Sequence, residues 1–156
     1  MSSVEKDFEE YVAARGKALL RSAYLLTGQH QDAEDLVQPT LERVVPKWGH
    51  LSGSPDAYVW RVLHREHINR WRRRRWREVV VEHLPELGAE DTVADLDLRT
   101  ALRGLAPRQR AVIVLRYYEG RTEAETAGIL GVSVGTVKSA AHSALRRMQQ
   151  TLAAES

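Results

Sequence analysis

The sequence predicts an all-α protein built as two small helical domains, residues 1–77 and 93–156, joined by a flexible acidic linker at 78–92. Three observations carry this reading. Apolar residues recur at three-to-four spacing through most of the chain, and no segment requires a strand. Proline, glycine and small hydroxylic residues stand where helices must start and stop. Charge is segregated: residues 61–77 hold eight arginines against one acid, Glu66, whereas residues 78–97 hold seven acids and no lysine or arginine.

Taken in order, Phe8, Tyr11, Val12, Leu19, Leu20, Ala23 and Leu26 form the apolar stripe of a helix over residues 4–27, stopped by Gly28. A second helix over 31–45 sets Leu36, Val37, Leu41, Val44 and Val45 on its apolar side. Pro39 removes a backbone donor inside it, so a kink or short break is expected there. Residues 46–53, with Pro46, Gly49 and Gly53, read as a loop. Ser54 then caps a long helix with Pro55 at its first position, running to residue 77. Pro85, Gly88 and scattered acids make 78–92 a linker. Beyond it lie a helix over 93–105 and another from Pro107 through Tyr118, ended by Gly120. Thr122 with Glu125 is a capping box for a short helix to Leu130, Gly131 turns the chain, and Ser133 caps a last helix toward Leu152.

With 43% apolar and 28% charged residues, the chain has the composition of a globular protein that can build a core. No apolar run approaches the roughly 20 residues that cross a bilayer, and the first ten residues are polar and acidic, unlike a signal peptide. A cytoplasmic protein is expected. The absence of cysteine excludes disulfides, thiolate metal sites and cysteine nucleophiles. The net charge of +2 matters less than its distribution: a polyanion suits the arginine run, and an acidic spacer follows it.

Residues 123–140 carry the most specific local signal. Ala127 is small enough for two helices to approach closely, Gly131 can take the left-handed conformation of a tight turn, and Leu130, Val132 and Val137 fill the space between. This is helix-turn-helix spacing. The second helix presents Gly135, Thr136, Lys138, Ser139, His142 and Arg146, short polar or basic residues suited to a major groove. An ordinary helical hairpin with a solvated face has the same spacing, so both readings stand. Over residues 56–77, Tyr58, Trp60, Trp71 and Trp76 interleave with arginines, the combination that stacks unpaired bases while guanidinium groups hold phosphates. Yet Tyr58, Val59, Trp60, Val62 and Leu63 are also spaced as core residues. Trp48 has two placements open to it, the wall of a base pocket or the core.

Catalytic and metal readings find little support. His64 and His67 are three apart on one helix, but no third ligand is evident and Arg61, Arg65 and Arg70 repel a cation; surface or phosphate-facing histidines are expected. Asp32, Glu34 and Asp35 sit at a helix start, where the macrodipole explains them without acid–base work. No Gly-rich phosphate loop is present. No cofactor, metal or catalytic residue is therefore expected.

Four stretches together resemble the sigma-70 family of RNA polymerase sigma factors, in its small extracytoplasmic-function (ECF, group 4) branch and the sigma-E-like subgroup. Ala33-Glu34-Asp35-Leu36-Val37-Gln38 resembles the helix that binds the clamp of core polymerase. Ala57-Tyr58-Val59-Trp60-Arg61-Val62-Leu63 with the arginine run is similar to the region for −10 recognition and strand opening. Leu105-Ala106-Pro107-Arg108-Gln109-Arg110-Ala111-Val112 resembles the opening of region 4, and Val132-Ser133-Val134-Gly135-Thr136-Val137-Lys138-Ser139 its −35 recognition helix. They cover nearly the whole chain in the right order. Two positions depart from the pattern: Pro39 stands where a glutamate is usual, and Arg65 where an asparagine is common.

The resemblance implies region 2 at 1–77, region 4 at 93–156, and an alternative sigma factor that binds core RNA polymerase through its beta and beta-prime subunits, directs it to −10 and −35 elements and assists DNA melting. Polymerase binding would fall to Asp32, Glu34, Asp35, Leu36, Gln38 and Glu42. Contacts with the −10 element would come from Trp48, His50, Tyr58, Arg61, Arg65, Arg70, Arg72, Arg73 and Arg74, with a base flipped from the non-template single strand. Duplex contacts at −35 would come from Arg121, Thr122, Ser133, Gly135, Thr136, Lys138, Ser139, His142 and Arg146. The linker would thread toward the polymerase active centre and RNA exit path. Promoter DNA and core polymerase are the implied partners, with room for an anti-sigma factor, and neither membrane insertion nor a small-molecule substrate is implied. The rival reading is a dimeric helix-turn-helix regulator that does not serve polymerase; it leaves the Asp35-Leu36-Val37-Gln38 helix and the Arg/Trp helix unexplained.

Overall fold

The computed structural model describes residues 2–77 and 93–155; the expected linker at 78–92 and the side chain of Trp76 lie outside the described residues. Every described element is helical. Helix α1 (Ser3–Thr27) opens with a reciprocal cap: Ser2 Oγ accepts from the Glu5 amide at 3.2 Å, and the Glu5 carboxylate accepts from the Ser2 amide at 3.3 Å. Its inner line, Leu19, Ala23 and Leu26, is fully buried.

Helix α2 (His30–Val44) buries Ala33, Leu36, Thr40 and Val44. It runs through Pro39 without the expected break. Proline deletes one donor, whose acceptor would be the carbonyl of exposed Asp35, where water can substitute. One residue on, Thr40 Oγ1 donates to the Leu36 carbonyl at 2.8 Å, adding a bond to the weakened turn. The expected loop after α2 begins as a tight 3-10 turn, Val45–His50, with Pro46 pre-set for helical φ. Helix α3 (Pro55–Arg77) follows, tied at its start to α1 by Tyr11 Oη donating to Asp56 Oδ1 at 2.7 Å and Arg15 Nε to the same oxygen at 3.3 Å. Burial, then the bond to Asp56, pushes the Tyr11 phenol well above its ordinary range.

After the undescribed segment come α4 (Val93–Arg103) and α5 (Pro107–Ile113). The expected helix through Tyr118 changes character: Val114–Tyr118 is a π turn, with the Glu119 amide bonded back to the Val114 carbonyl at 2.9 Å. Helix α6 (Glu123–Leu130) starts at the expected Thr122–Glu125 capping box, with both bonds at 3.0 Å. Its backbone and side-chain bonds to Thr122 hold the Glu125 carboxyl below the ordinary carboxylate range. Gly131 takes φ +69°, the left-handed turn the sequence predicts, and α7 (Val134–Glu155) begins with Ser133 Oγ accepting from the Thr136 amide at 3.1 Å.

The two halves share one core. Leu19, Leu26, Leu36 and Leu63 join Leu102, Leu105, Ile113, Val114 and Ala144 in a single buried cluster, beside a smaller one of Val112, Ala127 and Val137. Polar contacts reinforce this junction. His64 Nε2 of α3 lies 2.8 Å from Glu119 Oε2, with the two side chains 0% and 1% exposed. Buried Arg99 of α4 donates to Tyr24 Oη of α1 at 3.0 Å, and Tyr24 stacks on His30. Arg110 of α5 reaches further: Nη1 donates to the Leu26 carbonyl at 2.7 Å, Nε to Leu102 at 2.9 Å, and Nη2 to Leu105 and Arg103 at 3.2 and 3.3 Å. One guanidinium thus satisfies carbonyls at the ends of both α1 and α4, groups that a helix terminus otherwise leaves to water.

Candidate functional site

Three surfaces hold the residues expected to bind partners. On α2, Glu34, Asp35, Gln38 and Glu42 are exposed and Asp32 is half-buried, while Gln31 Nε2 donates to Asp35 Oδ1 at 2.9 Å. Leu36 is 1% exposed and belongs to the core, so this member of the expected set cannot touch a partner. Its register, shared with Ala33, Thr40 and Val44, faces α1 and α3. The neighbouring register faces out: Val37, Leu41 and exposed Val45, with Leu20 of α1, line an open groove of about 360 Å³ rimmed by Glu34, Gln38 and Glu42. Those apolar residues were legible as a stripe at i, i+4 and i+8, but the sequence alone could not tell the outer line from the inner one.

On α3, Arg61, Arg65, Arg72 and Arg73 are exposed, and Arg74 lies on the same helix with its side chain outside the described residues. Glu66, the one acid of the run, is buried and paired with Arg43 of α2, leaving the described exterior of the run basic. Arg43, Glu66, Asn69, Arg72 and Arg73 line a second open groove of about 390 Å³. Arg70 points elsewhere. Its Nη1 is shut from solvent without a hydrogen-bond partner, beside a cavity of about 100 Å³ lined also by Asp32, His67 and Arg110. The surface histidines expected from sequence are in fact buried, His64 at 0% and His67 at 9%, because the second half of the chain covers that side of α3. Among the described residues no cluster of three or more metal-ligating side chains forms. Trp60 is core, and Tyr58 packs half-buried against it. Trp48 takes the core placement of its two: its ring meets Phe8 edge-on at 5.3 Å and Tyr11 at 4.9 Å, whereas His50 beside it is exposed.

On the helix-turn-helix, Val137 and Ala127 pack with Leu130 and Val132 as the spacing predicts. Gly135, Lys138, Ser139, His142 and Arg146 are exposed along α7, and Thr136 is half-buried with its Oγ1 2.9 Å from Ser133 Oγ. Ser133 and Thr122 spend their hydroxyls on caps. Arg121 is only 18% exposed. It pairs with Glu125 at 3.8 Å, its Nε is buried without a hydrogen-bond partner, and its charge acts on Tyr11 of α1. What sequence reasoning missed is the junction itself, where His64 meets Glu119, Arg99 meets Tyr24, and Arg110 reaches the Leu26 carbonyl.

Among the described residues no helix is long and apolar enough to cross a membrane. The family model for sigma-70 region 2 matches residues 11–77, and that for sigma-70 region 4 matches 95–148. A curated relative, the RNA polymerase sigma-E factor of Streptomyces coelicolor, is 44% identical over 95% of this chain and 87% of its own. The ECF RNA polymerase sigma factor SigL of Mycobacterium tuberculosis is 36% identical over 93% of this chain and 86% of its own. Among solved structures, the sigma factor RpoE in complex with the anti-sigma factor NepR from Bartonella quintana superposes with a TM-score of 0.79 at 28% identity, covering 94% of this chain and 97% of that one.

Proposed function

The chain belongs to the sigma-70 family, in its extracytoplasmic-function branch, and from that premise we propose how its surfaces divide the work of an alternative sigma factor, which directs RNA polymerase to promoters. As a sigma factor it is an initiation factor and not an enzyme. Region 2, residues 1–77, holds core polymerase through the groove on α2: Val37 and Leu41 supply apolar contact in place of buried Leu36, Glu34, Gln38 and Glu42 rim it with polar and acidic groups suited to a basic helical partner, and exposed Asp35 adds a further acid on the same helix. The basic exterior of α3, with His50 before it, meets the −10 element, exposed guanidinium groups offsetting the few kcal/mol that extruding a base costs. Region 4, residues 93–156, lays the start of α7 in the −35 major groove, with Lys138, Ser139 and His142 at base edges and Arg146 at phosphate.

The observation that carries this division is the acid-rimmed apolar groove of α2, a surface that repels DNA and that a plain DNA-binding regulator has no use for. An anti-sigma factor is a further proposed partner, supported by the solved relative bound to one, and the cytoplasm, where polymerase and chromosome meet, is the proposed site of action. Reversing the charge of Asp35 and Glu42 together should weaken core-polymerase binding about tenfold or more while leaving duplex DNA binding by the free chain intact. Affinity is read by fluorescence anisotropy and start sites by reconstituted transcription. Unchanged polymerase affinity in the folded variant sinks the assignment, and start sites independent of this chain favour the regulator reading.

A further inference from the structure

Glu66 is the single acid among the arginines of residues 61–77, and its carboxylate is withdrawn from water. Its side chain is 5% exposed, while Arg43 of α2, whose Nε it binds, keeps 66% of its side chain exposed. A buried carboxylate is costly unless a cation compensates it, and here the cation comes from across the α2–α3 seam. Arg43 directly follows Glu42, yet it lines none of the acid-rimmed groove and reaches α3 instead. Helix α2 therefore offers acids on one flank and a fixed cation on the other.

The seam is an open groove of about 390 Å³ lined by Arg43, Glu66, Asn69, Arg72 and Arg73. Three guanidinium groups converge on this recess, and its one acid is buried and already paired, so an excess of positive charge remains. Crowding of like charges is unfavourable in the free chain and is relieved by an anion seated among them. The groove also continues a longer feature. Arg61, Arg65 and Asn69 are exposed and fall at i, i+4 and i+8, so the basic stripe leads into the groove along about 16 Å of α3 between residues 61 and 72. A stripe of this kind tracks a chain of phosphates, which an isolated ion does not need. A recess between two helices touches a single strand from both walls, whereas the rounded backbone of a duplex meets only its rim.

We propose that the α2–α3 seam seats a backbone phosphate of single-stranded DNA, with Arg43, held by Glu66, as its α2 wall, Arg72 and Arg73 as its α3 wall, and Asn69 as a neutral donor between them. The proposal deepens the −10 reading above and rests on it for the identity of the strand. Neither Arg43 nor Asn69 belongs to the DNA-binding set expected from sequence, because only tertiary packing brings a residue of the polymerase-binding helix against α3. A guanidinium fork suits a phosphodiester, to which it gives two parallel N–H bonds. One helix then carries polymerase on its acidic flank and the opened strand on its basic one, so a single rigid element sets the spacing between the two partners.

The test uses the full free chain, without polymerase, and anisotropy of a labelled oligothymidylate of about 15 nucleotides, followed across salt concentrations beside a duplex of the same length. Arg43→Gln keeps an amide that can bond Glu66 but loses the charge. It should weaken oligothymidylate binding about threefold or more and make the plot of log affinity against log salt shallower by about 0.7, the share of one single-strand phosphate contact. Arg43→Lys keeps the charge and should hold the slope. Duplex affinity should change by less than about twofold in both. Asn69→Asp is the second variant: it sets an acid in the groove at an exposed position, leaves the buried pair untouched, and should weaken the oligothymidylate complex by at least as much. Arg43→Gln or Asn69→Asp, folded by circular dichroism, with wild-type affinity and slope overturns the seat. An equal loss on the duplex overturns it too, by making the groove a general basic surface, and so does competition by inorganic phosphate at constant ionic strength, which would make it an ion site. Failure of this chain to direct core polymerase would remove the promoter reading but leave these free-chain outcomes unaffected, so the two failures are distinguishable.

Discussion

Gly135, the second residue of α7, is a glycine the fold does not require. A Cβ built there would meet only Ser133 Oγ, at the ordinary distance of 3.8 Å, and its backbone is not in the left-handed region. Alanine should therefore stabilise the helix by about 0.5–1 kcal/mol. That the sequence forgoes this gain on the face expected to meet DNA is explained if the helix start must approach the duplex more closely than a methyl group allows. Gly135→Ala should raise the denaturation midpoint while lowering affinity for duplex DNA about fivefold, a loss near 1 kcal/mol. Parallel urea melts and anisotropy titrations read both, and a variant that gains stability with unchanged DNA affinity contradicts the role. Gly131 differs in kind, since its φ of +69° is a demand of the turn itself.

At the level of the helix, α2 carries a local conflict between proline and helical geometry. Pro39→Ala should restore the missing amide bond to the Asp35 carbonyl and stabilise the protein by about 1–3 kcal/mol, with the larger figure the full cost of proline in a helix interior. Chemical denaturation checks the sign, and a destabilised Pro39→Ala would mean the ring packs usefully between Asp35 and Thr40. Elements governed by near neighbours were readable from the sequence: the Thr122–Glu125 box, the Gly131 turn, the Ala127–Val137 contact and the Pro55 and Pro107 starts all depend on residues within a few positions. What escaped were the consequences of a second half folding over the first. Helix α3 is covered by α2 on one side and by α6 on another, so its pattern has no clean solvent face, and His64 and His67 read as surface residues although they are buried. Leu36 was misassigned for a related reason. Two adjacent apolar lines run along α2, and only tertiary packing shows that 36, 40 and 44 face inward while 37, 41 and 45 face out.

For the whole molecule, the shared core from Leu19 to Ala144 and the polar ties across it make the two family regions one folded body in this arrangement, with the acid-rimmed groove of α2, the basic flank of α3 and the exposed polar face of α7 on its outside. Arg110 is the most connected of those ties: burial pulls its pKa below the ordinary value, and its three guanidinium nitrogens make four hydrogen bonds to four carbonyls from both halves. A side chain so placed governs how heat is absorbed on melting. With Arg110 present, the free chain should melt in one transition whose calorimetric and van't Hoff enthalpies agree, on the order of 100 kcal/mol for this length. Arg110→Ala strands the last carbonyl groups of α1 and α4 together, and the endotherm should split, the 93–156 half absorbing its share at lower temperature and residues 1–77 following on their own. The unit of cooperativity would then pass from the chain to the region, from the loss of a single guanidinium.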